Sequence, residues 1–406
     1  MSLLDLGLGR PLRARFLERP NRFLVHCRLG NGRVAEAFLP NPGRLWELLL
    51  PEAAVYLARR QRSESRRTAY TCVAVEREGR PVFLHTHLTN RVARALIQAG
   101  RVPGLDGAEV VRSEVPVGSS RFDFLLRHFG DYVYTEVKSV TLFGDGVAMF
   151  PDAVTERGRK HVRELVAVSR ESATRSLLLF LVHTGRARWF MPDYHTDFAF
   201  SQALLAARRE VQILPVAVGW TPALTLEPEV RVLDVPWGYL QREVQDGGGY
   251  LLLLKLCSDR ELDVGKLGRL SFRAGWHVYV GSAMQGLSAR VARHLRRRKR
   301  LHWHVDYLRQ AADEVIPLPI RSSRRIECDL ATALSALLEP GPEGFGCSDC
   351  RCPTHLFWSP SAPLASPAFH RLLQRFRMRP APAEQQADTG SGGAPSPSTS
   401  VKQDQP

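Results

Sequence analysis

No run of about 18 apolar residues, the length a membrane-crossing helix needs, occurs in this 406-residue chain. Its longest apolar stretches, such as Leu177 to Val182, are strand-sized, so a chain threaded through a membrane by helices is excluded. The start also lacks a signal-peptide layout, because Asp5 and Arg10 interrupt a short Leu-rich stretch. Cysteine is sparse: there are seven, an odd number, and Cys27, Cys72 and Cys257 stand singly in strand-like runs. That usage argues against a disulfide framework and for a reducing cytoplasm. A helix-turn-helix pattern is missing, which removes a common means of reading an operator sequence. Acid is in short supply, 41 Asp and Glu against 56 Lys and Arg, leaving a formal charge of +15. The excess is almost all Arg, whose planar fork suits phosphate. An anionic partner is expected, DNA first and RNA second.

What is present is a set of ionisable residues inside apolar runs. Asp123 lies in Phe122-Asp123-Phe124-Leu125-Leu126, and Glu136 and Lys138 lie in Tyr132 to Lys138, with a turn around Gly130 between the two runs. Alternation along a strand points Glu136 and Lys138 to one face, and hairpin pairing brings Asp123 to the same place. Charges set into apolar strands are costly without a partner. Asp123 and Glu136 holding Mg²⁺ or Mn²⁺ would offset that cost, with Lys138 activating water or neutralising a phosphate. The alternative is a structural ion-pair cluster.

These residues resemble the PD-(D/E)xK nuclease superfamily, and within it the sugar fermentation stimulation protein A family. The resemblance is carried by Pro40-Asn41-Pro42-Gly43-Arg44, Thr86 to Arg91, Ser120 to Leu126, Thr135 to Leu142 and Phe150 to Gly158, continuing into Lys160-His161, and it covers roughly residues 1–230. It implies an OB-like barrel followed by a nuclease-like α/β domain that binds DNA. The helical segment Asn90 to Ala99 departs from the superfamily pattern, since it lacks the further acid many members take from that helix.

Short alternating runs at residues 22–29, 33–38, 53–57, 70–75 and 82–84 fit a small OB-like barrel. The turn Asn41 to Arg44 is expected to project Arg44 towards a nucleic-acid backbone, and Arg60 to Arg67 is expected to be a basic loop, either solvated or a backbone contact beside that turn. Beyond residue 86, strands and helices alternate. The helix expected over Thr155 to Ser169 turns a polar face with Arg157, Lys160 and His161 towards the site and its phosphate. The Pro-, Gly- and charge-rich stretch 231–247 is expected to be a linker.

A second unit opens with Gly248-Gly249-Tyr250 and continues through Tyr279-Val280-Gly281-Ser282. It resembles the GIY-YIG domain in a divergent form. That resemblance implies catalytic roles for Tyr250, Tyr279 and Arg290, a polar contact at His294, and a metal-holding acid at Glu327. The segment Arg293 to Arg300 carries six basic residues in eight positions. Arg296, Arg297, Arg298, Lys299 and Arg300 are expected to grip nucleic acid, with Trp303 stacking a base. Cys347, Cys350, Cys352 and His355 have zinc-like pair spacing, but the pairs sit too close together for an ordinary finger. The spacing favours a loop of reduced thiols, with Zn²⁺ as the alternative.

The expected architecture is multidomain, α/β and β. It comprises an OB-like β-barrel (1–85), a PD-(D/E)xK restriction-endonuclease-like α/β domain (86–230), a linker (231–247), a GIY-YIG-like α+β domain (248–370) and a disordered tail (371–406). The expected function is metal-dependent hydrolysis of phosphodiester bonds in the cytoplasm. The alternative is a non-catalytic DNA-binding regulator of sugar-metabolism genes.

Overall fold

Alternating apolar and polar residues between Leu12 and Phe83 form six strands: β1 (Leu12–Asn21), β2 (Leu24–Leu29), β3 (Val34–Phe38), β4 (Ala54–Arg59), β5 (Tyr70–Arg77) and β6 (Arg80–Phe83). Their order is β3-β2-β1-β4-β5-β6, and a parallel β3–β5 pairing closes the first five into a barrel of the OB type. β1 has no clean alternating run in the sequence, because Arg13, Arg15, Glu18 and Arg19 dilute its apolar signal. In the fold only alternate residues such as Ala14 and Phe16 turn inward. The computed structural model describes residues 4–59, 68–118, 120–171 and 174–379. The basic loop expected at Arg60 to Arg67, and the tail beyond 379, lie outside the described residues.

The central unit begins with α1 (Thr89–Gln98) and three antiparallel strands, β7 (Glu109–Val117), β8 (Ser120–His128) and β9 (Asp131–Val140). Then follow β10 (Leu142–Gly144), β11 (Val147–Phe150), α2 (Glu156–Ser169), β12 (Thr174–Val182), β13 (Trp189–Pro192), α3 (Phe198–Ala207), β14 (Gln212–Trp220) and β15 (Leu226–Val232). The main sheet runs β15-β14-β12-β9-β8-β7, with β9, β12 and β14 parallel. Ser176 to Val182 is buried throughout, as a parallel strand covered on both faces must be. The barrel and this sheet share one apolar core, in which Val25, Leu57 and Val75 join Phe122, Leu165 and Phe180. Each such side chain taken from water contributes about 1.5–3 kcal/mol, so the shared core fixes the barrel against the sheet.

Residues 231–247, expected to be a linker, instead carry the end of β15 and α4 (Trp237–Glu243). Leu240 is fully buried there, beside Met149, Tyr194 and Met378.

The C-terminal unit comprises β16 (Gly248–Leu256), the hairpin β17 (Arg260–Asp263) and β18 (Arg269–Phe272), β19 (Gly275–Ala283), α5 (Leu287–Leu295), α6 (His304–Ala311), β20 (Glu314–Arg321), α7 (Glu327–Ser335), β21 (Glu339–Pro340), β22 (Leu356–Ser359) and α8 (Pro367–Arg377). Its antiparallel sheet runs β20-β16-β19-β22-β21. Strand alternation splits its core: Leu251 and Leu253 meet α7 and α8 on one face, while Tyr250, Leu252 and Leu254 meet α5 and α6 on the other. The tail expected from 371 therefore starts inside a helix. Leu372, Leu373 and Phe376 belong to the core.

Candidate active sites

In the central sheet Asp123 on β8 lies beside Glu136 and Lys138 on β9. Asp123 is held at both oxygens: Asn90 donates to Oδ1 at 2.6 Å and the Val137 amide donates to Oδ2 at 2.7 Å. Lys138 Nζ donates to Glu136 Oε1 at 2.6 Å, and His161 Nδ1 lies 2.5 Å from the same oxygen. Glu136 Oε2 is buried with no hydrogen-bond partner. The two carboxyls are pushed apart electrostatically. Burial, then the charge of Glu136, pushes Asp123 up to about 6. Burial also works to raise Glu136, but the His161 hydrogen bond and the Lys138 charge outweigh it and hold Glu136 below the ordinary carboxylate value. Asn90 stands on α1, within the segment that lacks the superfamily's further acid, and supplies a neutral hydrogen bond.

A cleft of about 330 Å³ adjoins this cluster through Asn90, Val137 and Lys138. Asn90 and Lys138 form part of its wall, together with Arg22 and the Asn41–Gly43 turn of the barrel and with Thr155, which caps α2. Arg19 shapes the turn by donating to the carbonyls of Asn41, Gly43 and Arg44. The turn is packed against Asp152: the Leu45 amide donates to Asp152 Oδ2 at 2.8 Å, and a Cβ on Gly43 would come within 2.7 Å of that oxygen.

Two expected nucleic-acid contacts are therefore corrected. Arg44 does not face the cleft; its guanidinium stacks on Trp46 at 4.7 Å, in a junction that also holds Asp193 and Arg377. The exposed cation at the cleft is Arg22, which follows β1 in a turn and not, as expected, at the start of a strand. His161 is 2% exposed and serves Glu136, not solvent. Arg157 and Lys160 are exposed as expected, and Lys160 pairs with Glu164 at 3.7 Å.

In the C-terminal sheet Tyr250 on β16 pairs with Gly281 on β19, where a Cβ would strike the Tyr250 hydroxyl at 2.4 Å. Tyr250 and Tyr279 are both buried, and burial raises both phenols well above their ordinary range. The Tyr250 hydroxyl lies 2.9 Å from His294 Nε2. Arg290 donates to the Ser282 carbonyl at 3.3 Å, and the Ser282 hydroxyl donates to Glu327 Oε2. The two Tyr, Arg290 and Glu327 are thus brought into one region.

The basic segment is divided by a buried acid that lies outside it. Asp306 on α6 is completely buried and receives Arg293 and Lys299, each at 2.9 Å. Although burial acts to raise it, hydrogen bonds from His294, Arg293 and Lys299 hold its carboxyl far below the usual range. His294 is fully buried and Lys299 nearly so, and neither is available to nucleic acid. Trp303 is not open for a base either, because Arg290 and Arg293 lie 4.3 and 4.2 Å from its ring centroid. Arg296, Arg297, Arg298 and Arg300 remain exposed. A lone acid so close to a basic run was the available signal.

The thiol cluster also differs in membership. Cys350, Cys352 and His355 come together as expected, but the fourth member is Cys328 in the first turn of α7, not Cys347. Cys347 is buried and turned towards the Pro353 carbonyl at 3.6 Å.

Comparison with known proteins follows the same division. The family description "SfsA N-terminal OB domain" matches residues 17–84, "Sugar fermentation stimulation protein RE domain" matches 87–223, and "Domain of unknown function DUF123" matches 249–378. A sugar fermentation stimulation protein homolog of Moorella thermoacetica is 43% identical over 197 residues, covering 84% of that relative and 48% of this chain. The chain belongs to the sugar fermentation stimulation protein family. A homolog from Methanothermobacter thermautotrophicus is 38% identical over 214 residues, 88% of its length and 52% of this chain. The solved structure of Pyrococcus furiosus SfsA, in complex with Ca²⁺, matches with a TM-score of 0.52 and 26% identity, over 99% of that chain and 58% of this one. The DUF123 match, residues 249–378, covers the GIY-YIG-like C-terminal unit. No described helix is long and apolar enough to cross a membrane.

Proposed function

We propose that the central domain hydrolyses phosphodiester bonds in DNA, with RNA as the second candidate substrate, using a divalent cation of the Mg²⁺ or Mn²⁺ class. The observation that carries this reading is the partnerless, buried Glu136 Oε2 beside Asp123 and Lys138. A buried carboxylate oxygen without a donor is costly, and a cation is the partner that its chemistry lacks. Asp123 and Glu136 are the residues that would hold the ion, and all-oxygen ligation suits a hard cation. The related Pyrococcus furiosus structure, solved with Ca²⁺, supports the same class of ligand. When bound, such an ion supplies charge neutralisation at phosphate and a more acidic water.

The chain's own residues supply the rest. Lys138, on the cleft wall, places a cation where negative charge develops. His161 keeps Glu136 ionised and oriented, and Asn90 and the Val137 amide orient Asp123. Arg22 on the cleft wall and the exposed Arg157 on α2 offer cations to a strand backbone, a sequence-independent grip. The exposed Arg296, Arg297, Arg298 and Arg300 extend that grip in the C-terminal unit.

The neutral Asn90 in place of a further acid favours a second reading, a module that binds DNA without cutting it. A cleavage assay on single- and double-stranded DNA and RNA, with Mn²⁺ or Mg²⁺ against chelator, separates the two. Metal-dependent cutting that disappears in Glu136→Ala and Lys138→Ala, with DNA affinity kept within a few fold, supports hydrolysis. Binding without cutting under every condition supports the second reading.

A further inference from the structure

We propose that Cys328, Cys350, Cys352 and His355 form a structural Zn²⁺ site that fastens the first turn of α7 to the loop before β22, with Glu327 as the carboxylate partner of its histidine. The ligand atoms of the four side chains all lie within 4.8 Å of one another. Cys350 Sγ is 3.4 Å from His355 Nε2. Ligands about 2.3 Å (sulfur) and 2.0 Å (nitrogen) from a tetrahedral ion stand roughly 3.5–3.8 Å apart, so small rotations complete the shell. Three thiolates and an imidazole are a soft, closed set, which suits zinc and leaves no open position for catalysis.

The second observation is the orientation of His355. Its ring is buried, with Nε2 towards the thiols and Nδ1 3.5 Å from Glu327 Oε1. A zinc-bound histidine characteristically turns its other nitrogen to a carboxylate in this way. The Ser282 hydroxyl on β19 donates to Glu327 Oε2, while Oε1 faces the otherwise partnerless His355 Nδ1. Glu327 becomes a positioning residue linking the zinc site to the strand that carries Tyr279, and is not itself a ligand to a hydrolytic metal. Sequence spacing within the 347–355 loop could not reveal this, because Cys328 arrives from another element.

The test uses the full chain purified under reductant. Elemental analysis is expected to find one Zn²⁺ per chain, and replacement by Co²⁺ should give the spectrum of a tetrahedral thiolate site. In unmutated protein, zinc should shield Cys328, Cys350 and Cys352 from alkylation while the exposed Cys257 reacts. Cys328→Ser should lose the metal and Cys347→Ser should keep it. Glu327→Gln should keep the stoichiometry but bind zinc about 10–100-fold more weakly. A chain that takes up neither Zn²⁺ nor Co²⁺, zinc-independent labelling of all three thiols, or metal loss in Cys347→Ser with retention in Cys328→Ser would overturn the proposal.

Discussion

His161 Nδ1 lies 2.5 Å from Glu136 Oε1, joining α2 to β9 through a contact that is almost wholly buried. Lys138 approaches the same oxygen at 2.6 Å, so Oε1 is saturated and Oε2 is left as the atom with capacity to spare. The arrangement aims one oxygen of Glu136 by occupying the other.

Removing His161 should therefore weaken metal binding without abolishing it. His161→Ala is expected to lower Mn²⁺ affinity about 10–100-fold, the usual cost of losing an orienting partner. Titration of Mn²⁺ followed by calorimetry checks this. Unchanged affinity would remove His161 from the site.

DNA binding should be strongly salt-dependent, with log K falling linearly against log salt. Replacing Arg296, Arg297 and Arg298 together with Ser should reduce the slope by about 0.9 for each phosphate that is no longer neutralised. Lys299→Ala should instead lower thermal stability, by roughly 1–3 kcal/mol, because it takes a partner from the buried Asp306. If Lys299→Ala shifts the salt slope and leaves the melting temperature alone, the division of this segment is wrong.

Glu47 makes a pH prediction. It is buried, its Oε1 has no partner, and burial followed by the nearby Asp152 charge pushes its carboxyl up to about 8. Its folded-state value lies above its unfolded value near 4.5, so the folded state holds the proton more tightly. The resulting stability is fully present below about 4.5 and is lost as the pH rises through about 8. Glu47→Gln should gain stability relative to wild type between those limits, by a few kcal/mol at about pH 8. Chemical denaturation across that range measures the difference; a constant difference at every pH would show that Glu47 does not titrate there.

The C-terminal unit should depend on α8. A fragment of residues 246–379 is expected to unfold cooperatively, whereas one ending at residue 370 should not, because it lacks Leu372, Leu373 and Phe376. In the full chain Phe376→Ala should cost about 3 kcal/mol. Circular dichroism melts of the two fragments decide the matter, and equal cooperativity would place the domain end before α8.

Much of the central site was legible because its geometry is local. Asp123, Glu136 and Lys138 stand on two strands joined by a tight turn, and a period of two is enough to bring them together. Asn90 was visible only as a missing acid; its bond to Asp123 depends on how α1 lies on the sheet. His161 shows the same limit. Its position on α2 was readable, but its burial was not, since the helix face that meets β9 includes a polar residue where the apolar stripe alone would not place one.

The sequence by itself determined the order of barrel, α/β unit and GIY-YIG-like unit, the membership of the strand pair at Asp123 and Glu136, and the basic character of residues 293–300. Each of these follows from composition or from pairing between neighbouring segments. Only the tertiary structure decided that Arg44, His294, Lys299 and Trp303 are spent on internal partners, that Arg22 faces the cleft, and that Cys328 replaces Cys347. Charge shows what a side chain is able to bind, but packing decides whether water or a buried partner reaches it first. That choice depends on elements far apart in the chain, and local periodicity carries no record of it.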